Sequence, residues 1–206
     1  MRRKNWALTI AIVLIASGFL VGNQLSPKNN TLPSRESRIP NDAVKVTPQT
    51  DTAPPKSLSP EYADPTPVLG KINTAGAEDS AFILPDGNTL YFFFVPDVRL
   101  PVEKQILDST VGIYVSRKIN SSWSEPQRIV LQDSGKLAMD GAEFVQGNLM
   151  YFCSVREGYT GVHWFKAEYK DGKWQNWENA DQELKMEEYK TGELHISVDG
   201  SELYFH

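Results

Sequence analysis

Three stretches of this chain can be laid over one another. Phe82-Ile-Leu-Pro-Asp-Gly-Asn-Thr-Leu-Tyr91-Phe92 is followed by Phe144-Val-Gln-Gly-Asn-Leu-Met-Tyr151-Phe152, which is two residues shorter at its turn. The third copy is His195-Ile-Ser-Val-Asp-Gly-Ser-Glu-Leu-Tyr204-Phe205. The Tyr-Phe pairs recur at intervals of 60 and 53 residues, a period that belongs to repeat architectures. Each copy runs from a short apolar strand into Asp-Gly or Gly-Asn, residues that tolerate the positive φ of a tight hairpin. A strand rich in β-branched and aromatic residues follows, as in LYFFFV and LMYFCSV, and such residues favour a pleated, half-buried surface. A helical solenoid would need apolar spacing near 3.6 residues, which these copies lack.

The likeness continues downstream. Gly112-Ile-Tyr-Val-Ser116 leads into a polar turn and Trp123, as Gly161-Val-His-Trp-Phe165 leads into Lys170-Asp-Gly-Lys-Trp174. Each complete unit therefore offers four antiparallel strands, the fourth opened by tryptophan, which is how a propeller blade is built. FILPDGNTLYF and HISVDGSELYF resemble the Ser-Pro-Asp-Gly-x-x-Leu-Tyr-Phe core of the PD40, or WD40-like, β-propeller repeat of TolB-type proteins. The first copy has Leu-Pro-Asp-Gly, the third Ser-Val-Asp-Gly, and the second lacks the Asp, yet all three keep the turn chemistry.

The fold class predicted is all-β, a partial β-propeller over residues 67–206. Its parts are two four-stranded antiparallel blades, about 77–139 and about 140–190, and the first hairpin of a third, 192–206. The resemblance implies a closed ring with the first strand of each blade lining the axis. It also makes the ending at His206, one hairpin into a unit, the mark of a truncated sequence. Pro67-Val-Leu-Gly-Lys-Ile72 has the look of a closing strand whose partners lie in the missing part. The insertion from Pro96 to Asp108 lengthens a loop of the first blade.

Upstream, Met1-Arg-Arg-Lys-Asn5 precedes WALTIAIVLIASGFLVG, Trp6 to Gly22, which carries no charge. As a helix these positions span about 26 Å, enough for a thin bilayer. A cleaved signal peptide would have to be cut at Ala16-Ser17-Gly18, inside the apolar run, so an uncleaved signal anchor over 1–22 is the preferred reading. The basic cluster places the N-terminus in the cytoplasm and the bulk of the chain outside, on a single-pass membrane protein. From Asn23 to residue 66 the chain is rich in Pro, Ser and Thr with one aromatic, Tyr62. Such a stretch has too little apolar surface to offset the entropy of ordering and reads as a disordered tether.

The net charge is −5, and three of the 21 basic residues are Arg2, Arg3 and Lys4. The remainder is more acidic still, which argues against a nucleic-acid partner. The single cysteine, Cys153, lies in an apolar strand-like run and reads as a buried structural thiol. No nucleophile elbow, phosphate loop or metal motif is present, so neither a catalytic set, nor a metal, nor a cofactor is expected. His195 holds the position of Phe82 in its repeat and reads as a packed side chain.

One constellation stands out as a binding candidate. Glu78 and Asp79, then Asp140 and Glu143, then Glu193 fall at the start of the first strand of each unit. If those strands line an axis, the carboxylates converge at one mouth, where they raise one another's pKa or hold a cation. Arg156, in Ser154-Val-Arg-Glu-Gly, resembles the Ser-x-Arg-x-Gly loop of the family, and a structural salt bridge is its competing reading. The expected function is a membrane-anchored extracytoplasmic binding module for a protein or polysaccharide. The alternative is a carbohydrate-active hydrolase or lyase with carboxylates at the axis.

Overall fold

The computed structural model describes residues 32–185 and 192–206. The predicted anchor, 1–22, lies outside them, and among the described residues no helix is long and apolar enough to cross a membrane. The described chain is all-β. Strands β1 (Ala77–Ile83), β2 (Thr89–Val95), β3 (Gly112–Ile119), β4 (Ser122–Trp123) and β5 (Gln127–Arg128) form one antiparallel sheet. Strands β6 (Ala138–Gln146), β7 (Leu149–Arg156), β8 (His163–Lys170) and β9 (Lys173–Asn179) form a second, in the order β6-β7-β8-β9. A hairpin of β10 (Leu194–Ile196) and β11 (Leu203–Phe205) follows. The described helices are single turns, α1 (Val102–Gln105), α2 (Asp181–Leu184) and a 3-10 turn at Glu36–Arg38.

The turns form as their residues require. At the first hairpin, Asp86 Oδ1 accepts hydrogen bonds from the backbone N–H groups of Asn88 (2.7 Å) and Thr89 (3.1 Å). At the third, Asp199 Oδ1 accepts from the Ser201 N–H and from the hydroxyls of Ser197 and Ser201. These hydroxyl and N–H donors hold the Asp199 carboxyl down at about 2. Each aspartate thus satisfies backbone donors that the tight turn leaves unpaired.

The two complete sheets match residue for residue. Phe82 pairs with Tyr91 as Phe144 pairs with Tyr151, and Phe92 opposes Tyr114 as Phe152 opposes Phe165. Both first strands slip register at the same place, between Asp79 and Phe82 and between Gly141 and Phe144. The bulges are carried by Ser80 and Ala142, each at φ 51, a conformation that non-glycine residues seldom adopt. The return of the fourth strand is equivalent too. The Ile129 N–H donates to Ile113 O and the Ala180 N–H to Trp164 O, both at 2.8 Å.

Side chains on a strand alternate between faces, and this is why Tyr and Phe travel as a pair. Tyr91 enters the core between the two sheets with Ile113, Ile129, Met150, Phe152 and Phe165. Tyr151 enters the next core, with Phe144, Trp164, Ala180 and Leu194 of β10. Phe92 turns the opposite way, to a third cluster with Ile72, Leu90, Phe94 and Tyr114. Each layer is closed by burial of large side chains. Phe92, Phe94, Phe152, Phe165 and Trp164 all expose 2 % or less of their surface, and each such side chain contributes about 1.5–3 kcal/mol.

Two segments upstream of β1 bear on the first sheet. The predicted disordered tether runs from Asn23 to residue 66, and a described part of it, at Arg35, is held against that sheet. Arg35 is 3 % exposed. Its guanidinium donates to Lys71 O (2.6 Å), Ile72 O (3.1 Å) and Glu78 Oε1 (3.2 Å). Arg38 pairs with Asp108 at 2.9 Å, and Arg99 with Asp42 at 2.8 Å, so the insertion after β2 holds the same segment. Composition foretold a lack of apolar surface, but a few cations matched to buried acceptors suffice to dock it.

The second is at 67–72, read as a closing strand whose partners lie beyond this chain. Gly70 forms a parallel bridge with Trp123 of β4, and the Lys71 N–H donates to Trp123 O at 3.4 Å. The approach is close. A β-carbon on Gly70 would lie 2.4 Å from Trp123 O, and the residue sits at φ +100. Only glycine fits there without strain.

Candidate functional site

Strand β6 packs between β1 and β10. At their centre, three repeat-equivalent rings touch. Phe82 and Phe144 stand edge to face at 5.2 Å, as do Phe144 and His195 at 4.7 Å, and Phe82 and His195 lie tilted at 6.4 Å. A cavity of about 420 Å³ opens beside them, lined by Ser80, Phe82, Glu143, Glu193, His195 and Tyr204, among others. That volume lies within the range of small-molecule sites. His195 is itself exposed, so it is a cavity wall as well as a packed ring.

The six candidate residues divide into two groups. Glu78 and Asp140 hold equivalent positions, opposite Phe94 and Ser154 of their sheets, and each is taken by an arginine. Glu78 pairs with Arg35 and accepts from the Thr74 hydroxyl at 2.6 Å. Asp140, 1 % exposed, accepts from Ser154 Oγ and from Arg156 Nη2, both at 2.6 Å. The Arg156 guanidinium lies 4.2 Å from the Trp177 ring, 4.5 Å from Phe165 and 5.5 Å from Phe152. Paired and stacked on three sides, Arg156 and Asp140 are structural members of the second sheet and do not face the cavity.

Asp79, Glu143 and Glu193 come together. Ser80 joins two of them, since its N–H donates to Asp79 Oδ1 (2.8 Å) and its hydroxyl to Glu193 Oε1 (3.1 Å). Glu143 is 4 % exposed, and neither of its carboxyl oxygens has a hydrogen-bond partner. Burial pushes its pKa well above the usual carboxylate range, and the charges of Asp79 and Glu193 push the same way. Glu143 is thus a buried carboxyl biased toward its protonated form, beside two further carboxyl groups. Burial, then the charges of Glu143 and Asp140, lift the neighbouring Cys153 thiol to about 12, which disfavours the reactive thiolate; expected to be buried, the thiol is half-buried and donates to Gly192 O at 3.4 Å.

Sequence reasoning missed Arg35 and Ser80. Ser80 carried a signal, for it falls in the bulge position of a repeat already recognised. Arg35 carried almost none, save that Pro96 stands in the first unit where Arg156 stands in the second.

Fold and site together define an all-β protein of successive antiparallel sheets, with a carboxyl-lined cavity where β1, β6 and β10 meet. Among the described residues no three histidine, cysteine or acidic groups converge as a metal site. Comparison with protein-family models, with curated proteins and with solved structures returns no match.

Proposed function

We propose that this chain is part of a PD40-type β-propeller, anchored at a membrane through residues 6–22 and held outside the cytoplasm. There it binds a protein or polysaccharide at the end where β1, β6 and β10 meet. One observation carries the reading. Three first strands of successive units lie side by side with Phe82, Phe144 and His195 in mutual ring contact, the placement expected of strands about a common axis. The acidic groups and the cavity fall at that same place, which makes it the natural docking surface.

Retention of the full chain, solubilised in mild detergent, on immobilised envelope polysaccharide or envelope protein tests the reading. Retention is expected on one of the two, and is expected to fall in an Asp79→Asn, Glu193→Gln variant. Retention on neither, or retention that the variant keeps in full, overturns it.

A second reading has its own support. A carboxyl whose pKa is raised beside other carboxyls is the arrangement used for general acid catalysis of glycoside cleavage, and burial raises Glu143 in that direction. In this reading Glu143 protonates the departing oxygen, and a polysaccharide is cut as well as bound. Release of reducing ends that survives Glu143→Gln, or no release from any envelope polysaccharide, removes it.

A further inference from the structure

We propose that the cavity between β1, β6 and β10 binds a primary ammonium group, held by the carboxyls of Glu143 and Glu193. The inference deepens the binding reading above, and rests on it only for the choice of this end of the strands.

The argument starts from the orphaned acid. A buried carboxyl with no hydrogen-bond partner is costly to keep, by about 1–3 kcal/mol for a neutral polar group, and both oxygens of Glu143 are in that state. Its surroundings are one-sided. Asp79 faces it from β1, Glu193 from just before β10 and Cys153 from β7, while Asp140 on its own strand is already paired with Arg156. Across the cavity stand His195, Tyr204 and His206, and among the described residues no lysine or arginine lines the cavity. The site thus has acceptors and negative charge in excess and is short of one cation.

The kind of cation follows from the donor set. A hard divalent ion needs several oxygen ligands converging at short distance, and no such group of three is found among the described residues. A guanidinium asks for two acceptors in one plane, whereas Glu143 lines the cavity from β6 and Glu193 from the residue before β10. A compact ammonium has three donors about a point charge and can be shared between them. The rings of Phe82 and Tyr204 supply walls suited to a cation.

The proton balance is explicit. The arriving ammonium keeps its charge, Glu143 releases its proton to solvent, and the resulting carboxylate pairs with the ligand. Affinity therefore rises with pH through the raised titration of Glu143, because the ligand selects the ionised acid.

The test is titration calorimetry of the full chain in detergent, with n-butylammonium and Nα-acetyl-lysine amide as separate probes, in two buffers of different ionisation enthalpy. The expected result is saturable binding with net proton release, weakened about tenfold or more by Glu143→Gln, the loss typical of a charge-assisted hydrogen bond. Because Glu143→Gln alters a buried position, Glu193→Gln at an exposed one is the second variant, expected to weaken binding in the same direction. Binding of the lysine derivative alone assigns the site to a protein side chain, and equal binding of both assigns it to free amines as well. Either outcome supports the ammonium site. No binding of either probe overturns it, as does equal affinity for methylguanidinium, or binding of calcium with no binding of amine. Retention on envelope material that persists while no amine binds overturns this inference alone. Amine binding without any retention overturns the broader reading alone.

Discussion

Arg35 occupies in the first sheet the place that Arg156 occupies in the second. Arg156 pairs with Asp140 and lies over Phe152 and Phe165. Arg35 pairs with Glu78, at the equivalent strand position, and lies 5.3 Å and 5.5 Å from the matching rings of Phe92 and Tyr114. One guanidinium belongs to its own sheet, and the other arrives from a segment upstream of every strand. Pro96 stands where the first unit's own arginine would be, and the N-terminal segment supplies the missing cation.

Removing that cation is expected to be expensive. Arg35→Ala leaves Glu78 and two backbone carbonyls without their donor, at a cost of about 3 kcal/mol, the lower end for opening a buried ion pair. Arg35→Lys is expected to recover little, since an ammonium cannot stack as the planar guanidinium does. Urea unfolding of the full chain, comparing midpoints of the three proteins, measures both.

The Asp140–Arg156 pair should behave as a unit. Either single substitution, Asp140→Asn or Arg156→Ala, strands a partner inside a sheet where both are at most 4 % exposed. A double-mutant cycle is expected to show a coupling energy of about 1–3 kcal/mol, so that the double variant loses less than the two singles together. Additive losses would mean the pair is not coupled.

Glu143 sets a pH dependence of known sign. Its folded-state pKa lies above its unfolded value, so above the unfolded value the unfolded chain releases a proton that the folded chain retains. Stability contributed by this group therefore falls as pH rises from about 4.5 toward the folded pKa. Glu143→Gln removes the dependence. The melting temperature of the variant, relative to the parent, is expected to climb between pH 4 and pH 8, and a flat difference would contradict the burial.

Cys153 should be nearly unreactive in the folded protein. With its pKa lifted from 9.0 to about 12, the thiolate population falls on the order of a thousandfold. Alkylation by iodoacetamide at pH 8, followed by mass, is expected to be slow in buffer and fast in denaturant.

Gly70→Ala is expected to destabilise by about 1–3 kcal/mol, the usual range for a strained backbone position. Its β-carbon would collide with the Trp123 carbonyl at a φ reserved for glycine. The loss of the contact between 67–72 and β4 is readable as earlier amide exchange at Lys71 and Trp123.

Much of this architecture was present in the letters themselves. The Asp-Gly turns, the alternating strands and the paired Tyr and Phe are settled by backbone preference and by the two faces of a strand, which act within a few residues. The repeat then placed Phe82, Phe144 and His195 in equivalent positions before any coordinates. What the letters did not decide was the fate of each charge. Glu78, Asp140 and Glu143 read alike in sequence, yet one is matched by a distant Arg35, one by a neighbouring Arg156, and one by nothing. Such outcomes depend on burial and on which groups the folded chain brings within a few ångströms, and these are properties of the packed structure alone.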